Sequence, residues 1–178
     1  MIYFTADQHF GHANVIKHCN RPFETVDEMD ATLIRNWNDT VGINDEIYIL
    51  GDLTMKSAAD AHKYLSALNG RKYLIVGNHD RFLNRIDVFE NHFEWVKDYF
   101  VLRQDGRMFV LFHYPIAEWN GYFRRSIHLY GHIHNSEASS VRMDNAALAF
   151  NVGVDCTDFR PVSIAEIIAM AEARMENQ

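Results

Sequence analysis

Five short apolar runs in this chain each stop at histidine, aspartate or asparagine, and that recurrence constrains the fold more than any other feature. IYFTA, from Ile2, runs into Asp7 and His9. IYILG, from Ile47, runs into Asp52, and YLIVG, from Tyr73, into Asn78, His79 and Asp80. MFVLF, from Met108, meets His113, and IHLYG, from Ile127, meets His132 and His134. Short runs of apolar, β-favouring residues bounded by turn residues read as buried strands. In an open α/β sheet the carboxyl ends of the strands border the crevice where ligands bind. Polar positions far apart in the chain are therefore expected to meet in space.

The segments between these runs read as helices. Over Thr25 to Val41, the residues Val26, Met29, Leu33 and Trp37 recur at spacings of three and four. Asp27 and Glu28 occupy the first turn, where the helix dipole favours acids. Ser57 caps a second helix to Leu68, with Ala61, Tyr64, Leu65 and Leu68 as its apolar stripe, and Asn69-Gly70 stops it. Strands at Ile2 to Ala6, Glu46 to Leu50 and Lys72 to Val76 then alternate with helices, the pattern of a helix-covered sheet. In the second half, Asp98 to Arg103 and Met108 to Phe112 flank a QDGR hairpin turn. Further strands are expected at Ser126 to Tyr130 and Ala147 to Val152, and a helix from Ser163 to about Arg174. The expected class is α/β, mixed layers around a central pair of sheets, as one domain over residues 1–178.

Composition narrows the function. A net charge of -7 with no block of Lys or Arg argues against tracking a long duplex, whose phosphates need a basic surface. No apolar run approaches the ~20 residues of a membrane span. The start, MIYFTADQHF, lacks the basic and long apolar regions of a signal peptide. The expected location is the cytoplasm, with no membrane partner. Cys19 and Cys156 make no disulfide framework and read as free thiols in a reducing compartment.

The spacing of the polar residues supports convergence. In an extended chain, residues i and i+2 point the same way, so Asp7/His9 and His132/His134 could each face one site. Gly51, Gly77 and Gly131 allow a sharp turn ahead of the ligands. Oxygen and imidazole donors without thiolate suit Mn²⁺, Fe or Zn²⁺ rather than a structural cysteine-type zinc site. Asp7, His9, Asp52, Asn78, His113, His132 and His134 are more ligands than one ion needs, and two ions sharing a bridging carboxylate would use them all. Singly, a histidine after a strand is an ordinary loop residue and an aspartate after glycine a turn former. His18, His62 and His92 are read that way; five coincident strand ends are not.

The ordered set ADQH, LGDL, VGNHD, FHYP and YGHIH, from Asp7 to His134, resembles the calcineurin-like metallophosphoesterases, in their small bacterial type. The resemblance implies a four-layer α/β/β/α sandwich of two mixed sheets flanked by helices, with a dinuclear metal centre at the strand ends. By position, Asp7, His9 and His134 would hold one ion, Asn78, His113 and His132 the other, and Asp52 would bridge them. His79 would be the catalytic imidazole, oriented by Asp80. The implied cofactor is a pair of divalent cations, Mn²⁺ first, with Fe, Zn²⁺ or Ni²⁺ as alternatives. One departure stands out: where many members continue the second motif as G-D-x-x-D, this chain has Met55, which puts support behind the metals in doubt.

The implied reaction is hydrolysis of a phosphomonoester or phosphodiester by in-line attack of a metal-bridging hydroxide, with His79 assisting the leaving group. Diesters are slightly favoured, because an alkoxide leaves poorly without such help. The alternatives are a nuclease acting on ends or single strands and, in another class, a non-catalytic metal-binding scaffold. The expected partner is a small phosphate ester, nucleotides included; the oligomeric state stays open. His12, Asn14, Arg21 and Tyr114 are candidates to touch substrate, although Arg21 reads more readily as half of a salt bridge to a helix acid. The segment YPIAEWNGYFRR carries Trp119, Tyr122 and Phe123, able to stack a base or to pack as a lid, and Arg124 and Arg125, able to attract an anion.

Overall fold

The computed structural model describes residues 1–84, 91–136 and 148–176. Among the described residues, nine strands form two sheets. In the first, β1 (Ile2–Thr5), β2 (Glu46–Ile49), β3 (Arg71–Ile75) and β4 (Phe93–Lys97) run parallel. β9 (Val162–Ser163) pairs antiparallel with β1, completing the order β4-β3-β2-β1-β9. In the second, β5 (Tyr99–Gln104) and β6 (Arg107–Phe112) form the expected hairpin, and β7 (Ile127–Tyr130) and β8 (Ala149–Asn151) follow parallel to β6. Both sheets are mixed, and helices flank them.

Period-two alternation sorts the side chains between two cores. Phe4, Tyr48, Leu50 and Ile75 face the second sheet, meeting Phe109 and Leu111 of β6, Leu129 of β7 and Phe150 of β8. Tyr3, Ile47, Ile49 and Leu74 turn the other way. They pack on Met29, Leu33 and Trp37 of α2 (Val26–Thr40) and on Ala61 and Leu65 of α3 (Ala58–Ala67). On the outer side of the second sheet, Val110, Tyr130 and Ala149 pack with Trp119, so the connection from β6 to β7 covers that face.

Register brings the strand ends level. Thr5 pairs with Ile49 and Ile49 with Leu74, so the chain leaves β1, β2 and β3 side by side. Leu111 pairs with Leu129, so β6 and β7 also end together. All five ligand-bearing ends thus open at one edge of the sandwich.

Most expected elements are present within a residue or two. Thr25 and Ser57 cap α2 and α3 by accepting from the Glu28 and Asp60 N–H groups, as their residue types dictate. Of the expected strand at Ala147 to Val152, Ala147 lies outside the described residues and the strand itself is Ala149–Asn151. Besides short 3-10 turns, the described residues hold three elements that were not expected: β4, the two-residue β9, and a six-residue helix α1 (Ala13–His18) in what read as a loop. α1 and β9 are too short to show a period, and tertiary packing sets them.

The last helix, α4 (Ile164–Glu176), starts on a capping box. Ser163 Oγ accepts from the Glu166 N–H at 3.2 Å, and the Glu166 carboxylate accepts from the Ser163 N–H at 2.8 Å. The Arg160 guanidinium beside it, 2.7 Å away, is the main reason its carboxyl falls to about 2, below an ordinary 4.5. A carboxyl lowered on folding adds stability above its unfolded value and loses it as pH falls through the folded one. Glu166→Gln is therefore expected to destabilise the protein at pH 7 by less than about 1 kcal/mol, since the pair is half in solvent. The gap to wild type should close between pH 4.5 and about 2, as read by urea denaturation across pH.

Candidate metal centre

The site is built from backbone that side chains rarely tolerate. Asp7, His9, Asp52, His132 and His134 have φ values of 59°, 53°, 58°, 70° and 50°. Such left-handed residues cost of order 1–3 kcal/mol each and persist where their surroundings over-determine them. Here the surroundings are hydrogen bonds between strand ends: Asp7 N–H to Gly51 O and His9 N–H to Asp52 O, both 3.0 Å, and Gly131 N–H to His113 O at 2.9 Å. The two D-x-H and H-x-H pairs therefore converge, but not as extended i and i+2 residues. His132 and His134 in fact separate, one to each of two groups.

The three glycines act mainly as space. Gly51 has φ +88° and does turn the chain, yet a Cβ there would also lie 2.5 Å from His113 Nδ1. Gly77 and Gly131 have no positive φ. A Cβ on them would fall 2.3 Å from Asp52 Oδ1 and 2.5 Å from Asp7 Oδ2, so glycine here admits a carboxylate rather than making a turn.

Two groups of donors result. Asp7, His9 and His134 bring ligand atoms within 4.8 Å of one another, and so do Asp52, His113 and His132. Asp52 joins them: its Oδ2 is 3.6 Å from His9 Nε2 and 3.5 Å from His113 Nε2. Asn78 Oδ1 lies 2.9 Å from both His113 Nε2 and His132 Nδ1.

The chemistry of this set calls for positive charge. His113 Nδ1 donates to the Leu50 carbonyl at 2.7 Å, which leaves Nε2 as a lone pair facing Asn78 Oδ1 and Asp52 Oδ2, themselves acceptors. Both ring nitrogens of His9 are buried without a hydrogen-bond partner among the described residues. Burial, aided by His134, Arg21, His79 and His12, keeps that ring neutral by lowering it to about 2. Asp7 is fully buried, and burial, with Asp52 and Asp155 nearby, pushes it up to about 8 against the pull of His134. The unpaired ring nitrogens of His9, and the His113 lone pair facing the Asn78 and Asp52 oxygens, in a space that penalises bare anions, fit divalent cations as occupants.

His134 shows how the ligands are held. Its Nδ1 bonds Asp155 Oδ2 at 2.7 Å, leaving Nε2 as its other nitrogen. Burial opposes its charge, but bonds to Asp155 and Cys19 and the Asp7 carboxylate win and raise it to about 10. The same Asp155 takes a two-pronged bond from Arg21, Nε to Oδ1 and Nη2 to Oδ2, both 2.8 Å. Burial opposes ionisation of Asp155 as well, but His134 and Arg21 outweigh it and hold its carboxyl below the usual range.

Several expected roles change. Arg21 does not face substrate: it is buried, and beyond Asp155 it donates to the Gln8 and Asp7 carbonyls at 2.9 and 2.7 Å. It is a salt bridge to a helix acid as expected, the helix being the single 3-10 turn Val154–Cys156. Asp80 does not orient the His79 ring. Its oxygens accept the N–H groups of Asp52 (2.9 Å), Gly77 (2.8 Å) and Leu53 (2.9 Å), clamping the second motif to the third. Burial pushes that carboxyl up to about 6, against these backbone bonds. His79 Nδ1 is buried with no partner among the described residues, and the residue is anchored by its N–H to Asp52 Oδ1 at 2.8 Å.

The remaining candidates divide. His79 and His12 lie beside His9, with ring centroids at 5.5 and 5.7 Å, and both line a hollow of about 490 Å³ with His132 and His134. Tyr114 sets its ring 4.6 Å from His132 and 4.8 Å from His113, at the rim. Asn14 is exposed on α1 and does not line the hollow. Met55 is exposed too, and the carboxylates behind the ligands are Asp80 and Asp155. Asp155 went unnoticed in the sequence, yet it follows the same rule: an apolar run, Ala147 to Val152, then Gly153 and an aspartate two residues on.

No family model matches the chain. An uncharacterized protein of Methanocaldococcus jannaschii is 37% identical over 174 residues, which cover 96% of this chain and 91% of that protein. A solved structure of a protein of unknown function from Aquifex aeolicus is 26% identical with a TM-score of 0.74, covering 96% of this chain and 98% of that one. A predicted phosphoesterase from Streptococcus pneumoniae TIGR4 is 13% identical with a TM-score of 0.38, over 85% of this chain and 70% of that one.

Asp155→Asn tests the brace. Leaving the buried Arg21 unpaired should cost roughly 3–5 kcal/mol of stability by urea denaturation. Loss of the carboxylate behind His134 should weaken metal binding about 10- to 100-fold in a competition titration with a coloured chelator.

Proposed function

We propose that this chain, which shares a family with the Methanocaldococcus jannaschii protein, is a calcineurin-like metallophosphoesterase that hydrolyses phosphate esters with two divalent cations. Phosphodiesters are the favoured substrates and Mn²⁺ the first choice of metal. One observation carries this reading: two acceptor-rich groups share the Asp52 carboxylate, with Oδ2 within 3.6 Å of a ring nitrogen in each. Asp7, His9 and His134 would hold one ion and Asn78, His113 and His132 the other, with Asp52 between them. When bound, a cation pair neutralises phosphoryl oxygens and lowers the pKa of water.

The chain's own residues do the rest. The hollow of about 490 Å³ beside the ligands receives the ester. His79, whose backbone N–H is bonded to Asp52 Oδ1, keeps its ring close to the bridging carboxylate and gives a proton to the leaving oxygen. His12 lines the same hollow from the first-motif loop and contacts the phosphoryl group. Tyr114 closes the rim beside the second set of ligands. The diester preference follows from His79, because an alkoxide needs a proton far more than nitrophenolate does.

Metal analysis of the purified protein is expected to find close to two ions per chain, with fewer in Asp52→Asn. Protein that takes up no Mn²⁺, and hydrolyses neither aryl monoesters nor aryl diesters with Mn²⁺ added, would sink the proposal. His79→Ala should cost much more rate on alkyl esters than on nitrophenyl esters; equal losses on both would remove His79 as the proton donor.

A further inference from the structure

A second hollow, of about 610 Å³, lies at the opposite end of the second sheet. Arg107, at the start of β6, lines it, whereas His113 follows the end of β6, about 20 Å away at ~3.3 Å per residue. Arg103, Arg124 and Arg125 line it too, and among the described residues no carboxylate does. Arg107 is paired with Glu172. The guanidinium groups of the other three have no hydrogen bond or ion pair among the described residues, in a chain whose net charge is -7.

The segment that presents them is held in a tight turn. Gly121 and Arg125 are left-handed, at φ 78° and 59°. The Gly121 carbonyl accepts the Arg124 N–H at 2.7 Å and the Ser126 N–H at 3.2 Å. Beneath, Trp119 is buried and donates its indole N–H to Ser126 Oγ at 3.0 Å, so it packs and cannot stack a ligand. Phe123 is the opposite case: 83% exposed, edge-on to Tyr122 with centroids 5.0 Å apart.

We propose that this hollow binds a nucleoside phosphate, whether a free nucleotide or a unit of a single strand, with Arg103, Arg124 and Arg125 on the phosphate and Phe123 under the base. Guanidinium forks match phosphate oxygens and stay charged at any working pH. A bare aromatic face beside them suits a base, which stacks whatever its identity. The volume is within the range of small-ligand pockets and gives a lipid bilayer no broad apolar face. The site stands apart from the metal centre and does not depend on hydrolysis there.

The test titrates AMP, a five-residue oligothymidylate and inorganic phosphate into Asp52→Asn protein, by calorimetry and by anisotropy of a fluorescein-labelled strand. Saturable binding of AMP or the strand is expected, and which of the two is tighter identifies the source of the nucleotide. Phe123→Ala, added to Asp52→Asn, should weaken AMP about tenfold and leave inorganic phosphate unchanged. Arg124→Ser with Arg125→Asn, an asparagine tolerating the left-handed backbone, should weaken all three probes. It should also reduce the salt slope for the strand by roughly 1.4, the value for two lost phosphate contacts. These three side chains are exposed, so an unchanged urea midpoint is expected for each variant. No saturable binding of AMP or the strand, binding indifferent to the arginine changes, or phosphate binding as tight as AMP would each overturn the proposal.

Discussion

Two carboxylates, an amide and four imidazoles meet at the edge of this sandwich, most of them buried, and much of the local structure holds them there. Asp7, Asp52, His9 and His113 are almost wholly buried. Water cannot solvate them, and their lone pairs face one another across gaps of about 3.5 Å. Such a cluster needs protonation or added positive charge to offset its lost solvation, and a backbone that cannot relax away. The five left-handed ligand residues are the visible cost of that second condition.

Two buried polar braces meet that cost. Asp80 takes three backbone N–H bonds and ties the turn after β2 to the turn after β3. The Arg21–Asp155 pair does the same for the turn after β1 and the last ligand, because Arg21 also holds the Asp7 and Gln8 carbonyls while Asp155 holds His134. Both braces are charged groups fully occupied by neighbours, which is the circumstance in which burying charge is tolerated. Their position behind the ligands, rather than toward a substrate, follows from that full occupation.

The convergence of these donors was legible in the sequence because they repeat one simple pattern at several strand ends. A polar residue just after a buried run sits at the edge of a sheet whatever the tertiary details. The roles of Arg21 and Asp80 were less legible. Nothing local distinguishes an arginine that meets a phosphate from one that meets a carboxylate 134 positions later in the chain. Asp155 was within reach of the same pattern but sits after a short strand with weak alternation. Trp119 and Phe123 were indistinguishable as neighbours in one aromatic segment, until burial of the first and exposure of the second separated them.

By itself, then, the sequence determined the class of the fold, the strand ends at which chemistry collects, and the kind of donor offered there. Hydrophobic periodicity and residue type are local properties, and both survive being read without a structure. Only the tertiary structure decided that glycines 77 and 131 make room for carboxylates. It likewise decided that Asp80 and Arg21 hold backbone instead of catalytic ring or substrate. Those outcomes depend on distances between segments brought together by sheet register and sheet packing, which no local pattern in the sequence encodes.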